Sequence, residues 1–444
     1  MIVLKFGGTS VGSAAMMDRA LDIVHSYLPK APILVASAMS KVTDSLVQIT
    51  NVASSGDEAG ARAILDRIAK MHMEAAEAFL TGPRLEGARR VLKDYLSELG
   101  SLIRGLSLLH ECTPRSSDAI LSFGELMSTT IIARRAEERG ISVELLDARD
   151  FVRTDDRFTG ASPDMAETTR RVREKVHPEP GKLIVTQGFI ARNGSGATTT
   201  LGRGGSDYSA TIIGSALGVE NVQIWTDVNG IMTSDPRVVP DARTIDVISY
   251  AEAAELAYFG AKVVHPSTIQ PAVETGIPVE VKNTSDPDGA GTIIVEHADG
   301  TGLRAIAGKK DITLIHISST RMLNAYGFLS RIFTIFERHR TPVDLIATSE
   351  VSVSMSIDNA AALDAIIEDL GEIGVVSVEG SLGIICLVGP ELWKDSSFLA
   401  RVFGALRDTP IRMISLGSSD INLSLVVPRG LMDAAIQTLH REFF

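Results

Sequence analysis

The chain opens with an apolar run, Ile2–Phe6, interrupted only by Lys5. Apolar residues at helical spacing follow over 16–28, and a second apolar run covers 31–36. Strand, helix and strand in that order predict a parallel sheet. Between 58 and 140 the pattern is helical throughout. Ala63, Ile64, Ile68, Met71 and Ala75 fall near one face, and Leu92, Leu96, Leu99, Ile103 and Leu106 near another. Pro83 and Pro114 punctuate these helices. From 141 the β/α alternation returns. Short apolar runs at 143–146, 182–186 and 222–225 read as strands, with a helix over 209–217 between the last two. The turn-rich stretch 283–292 closes this unit and sets a domain edge near 300.

The remainder contains a repeat. Residues 331–354 align without gaps on 401–424, with Arg331/Arg401, Phe333/Phe403, Ser349/Ser419 and Ser354/Ser424 identical and Glu350 opposite Asp420. After a slip of one residue, 364–370 aligns on 433–439. Each copy reads strand, helix, strand, strand, helix, the order of a βαββαβ unit whose open sheet edge seeks a partner. The first copy can finish with a strand near 375–378. The second reaches its last helix, 431–441, with no strand after it. An apolar run at 303–307 precedes the first copy and has no other partner, so it is expected to complete the second sheet. The predicted fold is therefore α/β: a parallel-rich sheet sandwiched by helices over 1–298, one βαββαβ domain at 311–380, and a second built from 303–310 plus 381–444.

Composition narrows the function classes. A length of 444 residues suggests about three domains. The net charge of −12 argues against a general binder of nucleic acid or anionic membrane, which needs basic surface. Two cysteines, Cys112 and Cys386, form neither a disulfide framework nor a zinc spacing, and point to a reducing, cytoplasmic setting. No window has the 18 apolar residues of a membrane helix. The first residues read as a strand entering a glycine turn rather than as a secretion signal.

Five stretches could carry chemistry. In Lys5-Phe6-Gly7-Gly8-Thr9-Ser10, two glycines after a strand let backbone N–H groups approach a phosphate, the next helix offers its positive end, and Lys5 adds a point charge. The same residues could be a plain strand-to-helix turn. In Thr200-Leu-Gly-Arg203-Gly-Gly-Ser206-Asp207, three glycines surround an arginine suited to a bidentate carboxylate. Asp207 could bind Mg²⁺ or orient Arg203, or Ser206 and Asp207 could simply cap a helix. Trp225-Thr226-Asp227-Val-Asn-Gly230, with Arg237 downstream, follows a strand, where open α/β sheets place ligands. It could equally be two turns. Phe259-Gly-Ala-Lys262-Val-Val-His265-Pro266 offers Lys262 to a nucleotide, while His265 suits packing. Ser37 to Thr43 is a small polar loop that could hold an acceptor, and Glu125 is a single carboxylate at a helix start.

No nucleophile accompanies these phosphate cradles and cations. There is no Cys/His pair, no Gly-x-Ser-x-Gly elbow and no His-rich metal site. Phosphoryl transfer needs mainly positioning and charge neutralisation, so the inventory fits a kinase acting by direct in-line transfer.

Taken together, Lys5 to Val11, Thr200 to Asp207, Trp225 to Gly230 and Phe259 to Pro266 resemble the aspartokinase family in order and spacing over essentially the whole chain. The resemblance implies an amino-acid-kinase fold and ATP-dependent phosphorylation of the β-carboxylate of L-aspartate. ATP would bring Mg²⁺, with no protein metal ligand assigned. It implies paired ACT domains in the C-terminal repeat and a homodimer or dimer of dimers through them. By the same resemblance, Lys5 and Asp207 would be catalytic. Thr43, Glu125, Arg203 and Ser206 would contact aspartate. Lys5, Phe6, Gly7, Gly8, Thr226, Asp227, Met232, Arg237 and Lys262 would hold ATP. Met232 departs from the tyrosine common in the family, which removes an aromatic nucleotide contact.

The stretch Met322 to Leu329, with Val343-Asp344 and Thr348-Ser349-Glu350, resembles lysine-sensitive members more than threonine-sensitive ones. It implies feedback inhibition by L-lysine at Met322, Ala325, Phe328, Leu329, Val343, Asp344, Ser349 and Glu350. Asp344 and Glu350 would supply anions, and the helix start at Phe328 would supply N–H groups to the carboxylate. Ala325 replaces a common serine. Asp344 and Glu350 could instead be edge-strand charges that block aggregation. The alternatives to aspartate phosphorylation are another amino-acid kinase, such as an N-acetylglutamate kinase, and a non-catalytic amino-acid-sensing module.

Overall fold

All five residues of Ile2–Phe6 are buried, and this strand, β1, is the middle of the sheet that the first residues predict. The computed structural model describes residues 1–260, 264–322, 326–417 and 419–444. The described chain divides into two units. One comprises Met1–Ile231, Asp246–Tyr250 and Val263–His297; the other comprises Met232–Ile245, Ala251–Lys262 and Ala298–Phe444.

In chain order the strands of the first unit are β1, β2 (Pro32–Ala36), β3 (Ser142–Leu146), β4 (Arg153–Thr154), β5 (Lys182–Gln187), β6 (Ile190–Asn193), β7 (Thr198–Thr200), β8 (Val222–Thr226), β9 (Val247–Ser249), β10 (Val279–Asn283) and β11 (Thr292–Val295). Eight of them form one sheet in the order β3-β5-β2-β1-β8-β10-β11-β9. From β3 to β10 all neighbours are parallel, and only β10 and β11 are antiparallel. β4, β6 and β7 make a small second sheet.

The helices are α1 (Ala14–Ser26), α2 (Val42–Ser54), α3 (Glu58–Phe79), α4 (Gly82–Leu109), α5 (Pro114–Leu121), α6 (Phe123–Glu138), α7 (Met165–Lys175), α8 (Gly205–Leu217), α9 (Tyr250–Tyr258) and α10 (Pro266–Thr275). All but α9, which belongs largely to the second unit, lie in the first. On α3 the buried face is Ala61, Ile64, Leu65, Ile68, His72, Ala75 and Ala76. Ala63 and Met71, expected on that face, are exposed, and His72 takes the inward position. Leu96 on α4 is only half-buried, while Leu92, Leu99, Ile103 and Leu106 are buried as expected.

The second unit adds β12 (Ala305–Ser318), α11 (Phe328–Arg338), β13 (Ile346–Thr348), β14 (Ser352–Ile357), α12 (Leu363–Gly371), β15 (Val375–Val388), α13 (Ser396–Ala405), β16 (Met413–Leu416), β17 (Asn422–Pro428) and α14 (Arg429–Phe443). Its strands form one antiparallel sheet, β13-β14-β12-β15-β17-β16. β12 and β15 run side by side for 14 residues each, with register shifts between Lys309 and Leu314. Ala305–Lys309 pairs with Ile384–Val388 beside β17, where a borrowed strand is expected. The other half of β12 pairs with β14 and with the start of β15. Each half has its own core, one with α11 and α12, the other with α13 and α14.

The boundary of the first unit is less simple than a cut at 298. Residues 232–245 pack with the C-terminal unit because Val239 joins its core with Ile306, Val402 and Leu439. Thr233 fixes the segment: its carbonyl accepts from Ile306 N at 2.8 Å, and its Oγ1 lies 2.9 Å from His440 Nε2.

Candidate active site

Parallel pairing places the C-terminal ends of β1, β2 and β8 on one edge of the sheet, where the following loops collect. There Gly7-Gly8, the loop 37–41 and Thr226 surround a cavity of about 660 Å³. The loop 202–207 and Glu125 complete its wall. Lys5, Thr43, Arg203, Ser206 and Asp207 all line it, so the expected catalytic and aspartate-binding residues meet in one place.

Two cations and two carboxylates organise this space. Lys5 Nζ is 2.5 Å from Asp207 Oδ1, with both side chains nearly buried. Asp207 stands in the first turn of α8, so the helix begins at 205, earlier than the apolar pattern suggests, and Ser206 lies inside it. The helix cap is Gly204 with φ +70°, and a Cβ there would lie 2.7 Å from Thr268 Cγ2. Only glycine suits that conformation in that space. Arg203, next to it, is exposed and has no ion-pair partner among the described residues.

Glu125 is buried in the first turn of α6. Its Oε1 accepts from the Ala38 backbone N–H at 3.0 Å, and Ser128 Oγ donates to the Ser37 carbonyl at 2.8 Å. These bonds tie α6 to the loop after β2. The second oxygen, Oε2, is buried without a hydrogen-bond partner. Burial pushes the Glu125 carboxyl up to about 8, against the smaller lowering from Ala38. An approaching ammonium would supply the missing partner and restore the charge.

Asp118 carries no sequence signal, yet it positions this wall. It is buried on α5, and its carboxylate accepts from Thr159 N at 2.9 Å, Thr200 N at 3.0 Å and Thr200 Oγ1 at 2.8 Å. Thr200 opens the glycine-rich loop. Desolvation raises the Asp118 pKa, while these three bonds oppose it. Lys41, Asp44 and Phe189 also line the cavity and carried no assigned role.

Other expected residues are placed differently. Phe6 is fully buried, stacked on Trp225 with centroids 6.0 Å apart, so its ring belongs to the core and not to an ATP contact. Asp227 is exposed outside the cavity wall and accepts from Thr226 Oγ1 at 3.2 Å. Met232 and Arg237 belong to the second unit, where Arg237 is exposed and paired with Asp235 at 2.7 Å. Lys262 and Ala325 lie outside the described residues.

Among the expected effector residues, Phe328 is buried in the core of its own half, with Met322 and Val343 packed against it. The Phe328 ring is therefore structural, although α11 does begin there after Gly327. Leu329 and Glu350 are exposed, and Ser349 Oγ is 2.7 Å from Ser352 Oγ. Asp344 is not an open anion: its side chain is buried and paired with Lys309. A cavity of about 490 Å³ beside Ser318–Thr320 and 371–375 is lined by none of these residues.

The C-terminal edge of a parallel sheet with a lysine, a glycine-rich loop and a helix N-terminus around one cavity defines a phosphoryl-transfer site. Residues 1–283 match the amino acid kinase family, and residues 385–443 match an ACT domain. The chain is 38% identical to the lysine-sensitive aspartokinase 3 of Escherichia coli, covering 100% of this chain and 99% of that one. It is also 38% identical to the chloroplastic aspartokinase 1 of Arabidopsis thaliana, covering 100% of this chain and 80% of that protein. The structure of E. coli aspartokinase III with aspartate and ADP, described as the R-state, superposes with a TM-score of 0.85, at 38% identity and with 100% and 99% of the two chains covered. The T-state structure of the same enzyme with lysine and aspartate gives 0.84 at 37% identity, with the same coverage. The chain belongs to the aspartokinase family, within the amino acid kinases.

Proposed function

We propose that the cavity binds L-aspartate as a zwitterion and transfers the γ-phosphoryl group of ATP to its β-carboxylate, giving 4-phospho-L-aspartate. The observation that carries this reading is the pair of unpartnered groups on one wall: the Arg203 guanidinium, without an ion-pair partner among the described residues, and the Glu125 carboxyl, with a buried orphan oxygen. A guanidinium fork matches the α-carboxylate, and Glu125 matches the α-ammonium. Thr43 and Ser206 add hydroxyls to the same wall. The β-carboxylate is already ionised at pH 7 and needs no general base.

Lys5 neutralises charge on the transferring phosphoryl group, and Asp207 holds its ammonium in place. Gly8 and the N-terminus of α8 present N–H groups to phosphate oxygens, while the Gly7 N–H is donated to the Trp225 carbonyl at 3.1 Å. Thr226, on the cavity wall, serves the nucleotide. Mg²⁺ bound with the nucleotide would neutralise part of the phosphate charge. Among the described residues no group of three or more His, Cys, Asp or Glu is placed to hold a metal ion; Asp207, beside Lys5 on the cavity wall, is the carboxylate that could meet a phosphate-bound Mg²⁺.

The ACT repeat serves as an L-lysine sensor that lowers activity, in a homodimer or dimer of dimers joined through these domains. The enzyme works in the cytoplasm; among the described residues no helix is long and apolar enough to cross a membrane. A coupled ATP-consumption assay tests the reading. Turnover is expected with L-aspartate and not with N-acetyl-L-glutamate; the reverse, or neither, overturns it.

A further inference from the structure

The anion expected to receive the effector's ammonium is already occupied from within the chain. The Asp344 side chain is 1% exposed. Its Oδ1 accepts from Lys309 Nζ at 2.7 Å and from the Tyr258 hydroxyl at 2.7 Å. Lys309 Nζ also lies 2.9 Å from Asp358 Oδ2 and 4.6 Å above the Tyr258 ring. Asp344 Oδ2 is buried without a hydrogen-bond partner. An incoming ammonium reaches neither oxygen unless the cluster opens.

Tyr258 ends α9, and the chain runs on through Phe259-Gly260 to Lys262, the lysine expected at the nucleotide. Residues three apart on α9 anchor it to the rest of the second unit. Glu252 faces Arg304 at 3.6 Å, Glu255 Oε2 accepts from Asn422 Nδ2 at 2.5 Å, and Tyr258 donates to Asp344. The turn after the helix packs closely against β12. Gly260 has φ +119°, and a Cβ there would lie 2.7 Å from the Gly308 carbonyl oxygen. Gly308 and Lys309 are neighbours on β12, so one short piece of strand lies against both the Tyr258 ring and the exit from α9.

We propose that Lys309, Asp344 and Tyr258 form the element that couples the effector site to the nucleotide segment. The inference rests on the reading of L-lysine as the effector. Asp344 bonds either the internal ammonium and hydroxyl or the ammonium of bound L-lysine. In the second arrangement Tyr258 is released, and with it the tether on the segment that leads to Lys262. A ligand shifts a conformational equilibrium only by its differential affinity, and competition for one carboxylate supplies that difference. Reciprocity then requires that weakening the internal bonds strengthens lysine binding. Tyr258 acts through Asp344 and is a positioning residue.

Calorimetric titration with L-lysine, together with steady-state rates on the full chain, tests this. Tyr258→Phe removes only the hydroxyl, and Lys309→Met removes the internal cation. Both are expected to bind L-lysine about tenfold more tightly, the size of a lost hydrogen bond to a charged group. Both should show lower activity without lysine and a smaller further loss at saturation. Lys309→Arg keeps the cation and should respond as the wild type does. Unchanged or weaker lysine binding in both Tyr258→Phe and Lys309→Met overturns the coupling. A wild type that phosphorylates aspartate but binds no lysine overturns the effector reading and the coupling with it. A wild type that binds lysine but has no aspartate kinase activity removes the catalytic reading alone, and the calorimetry still decides the coupling.

Discussion

Lys5 and Asp207 approach to 2.5 Å although one belongs to the central strand β1 and the other to the first turn of α8. The lysine is the one charge in an otherwise apolar strand, and its ammonium is held at the helix end where the cavity opens. Lys5→Met is expected to lower kcat by about 10²- to 10³-fold, the effect of removing one charge-stabilising group from a transition state. It also leaves Asp207 nearly buried without its cation. The double variant Lys5→Met/Asp207→Asn should recover the thermal midpoint of the wild type but not its rate. Recovery of rate would show that Lys5 acts only through Asp207.

Arg203→Ala is expected to reduce kcat/KM for aspartate about a hundredfold, or on the order of 3 kcal/mol, by removing a charge-assisted bidentate pair. The side chain is exposed, so the fold should be unaffected. Initial rates across aspartate concentrations decide it, and near-normal kinetics in the folded variant would remove Arg203 from the site.

With Glu125 facing the substrate ammonium, aspartate binding is expected to depend on pH. Its carboxyl titrates near 8 in the empty site, so at pH 7 most molecules carry it protonated. Binding of an ammonium selects the ionised form, and affinity should rise about tenfold between pH 7 and 9. Calorimetry at pH 7 in buffers of different ionisation enthalpy should show close to one proton released per aspartate bound. Glu125→Gln should abolish that release and weaken binding. The stability effect has the opposite sense. A raised carboxylate pKa gives stability that is full below the unfolded value of 4.5 and is lost as pH rises through 8. The aspartate-free enzyme should therefore lose roughly 5 kcal/mol from this group on going from pH 4 to 9.

His72 works at the acid end. It is buried in α3, its Nδ1 donates to the Ile68 carbonyl at 2.8 Å, and burial pushes its pKa down to about 4. A depressed histidine pKa gives stability that is full above the unfolded value of 6.5 and is lost as pH falls toward 4. The loss amounts to roughly 3 kcal/mol over that window. Urea midpoints at pH 7 and 4.5, compared between wild type and His72→Leu, should show a smaller acid shift in the variant. Equal shifts would assign the acid lability to other groups.

Asp118→Ala should loosen the glycine-rich loop without touching substrate. Three bonds to Thr159 and Thr200 are lost at a buried position, so stability should fall by about 2 kcal/mol or more. KM for aspartate should rise more than kcat falls, since Arg203 is displaced rather than removed. A lower thermal midpoint with unchanged KM would limit Asp118 to a structural role.

Much of the cavity's lining was legible because its residue types are tied to local geometry. A lysine in an apolar strand followed by two glycines, and an arginine among three glycines before a helix, each narrow the chemistry before any fold is known. Glu125 was legible only through the family resemblance; its orphan oxygen depends on the loop after β2. Asp118 was silent because its partners lie 41 and 82 residues away. Phe6 was misplaced because a motif does not say which neighbours in a strand face the core. The same limit applies on α3, where Met71 reads as an inward apolar residue and the helical turn instead presents His72. The shared sheet of the repeat was legible in outline, since a unit lacking its last strand must find one elsewhere. The departure of 232–245 to the C-terminal core was not, because Val238 and Val239 sit in what reads as a turn.

That departure sets an order on synthesis. Val239 finds its core only against Val402, Leu439 and their neighbours, which emerge from the ribosome more than 160 residues later. Ala305–Lys309 waits in the same way for Ile384–Val388. Until then a nascent chain with a complete β1-to-β8 sheet carries an unsatisfied apolar segment and an unpaired strand edge. A fragment cut at residue 298 would keep the first of these exposed permanently and should aggregate more readily than the full chain. The catalytic half is thus the earlier part to be made but not the earlier part to be finished.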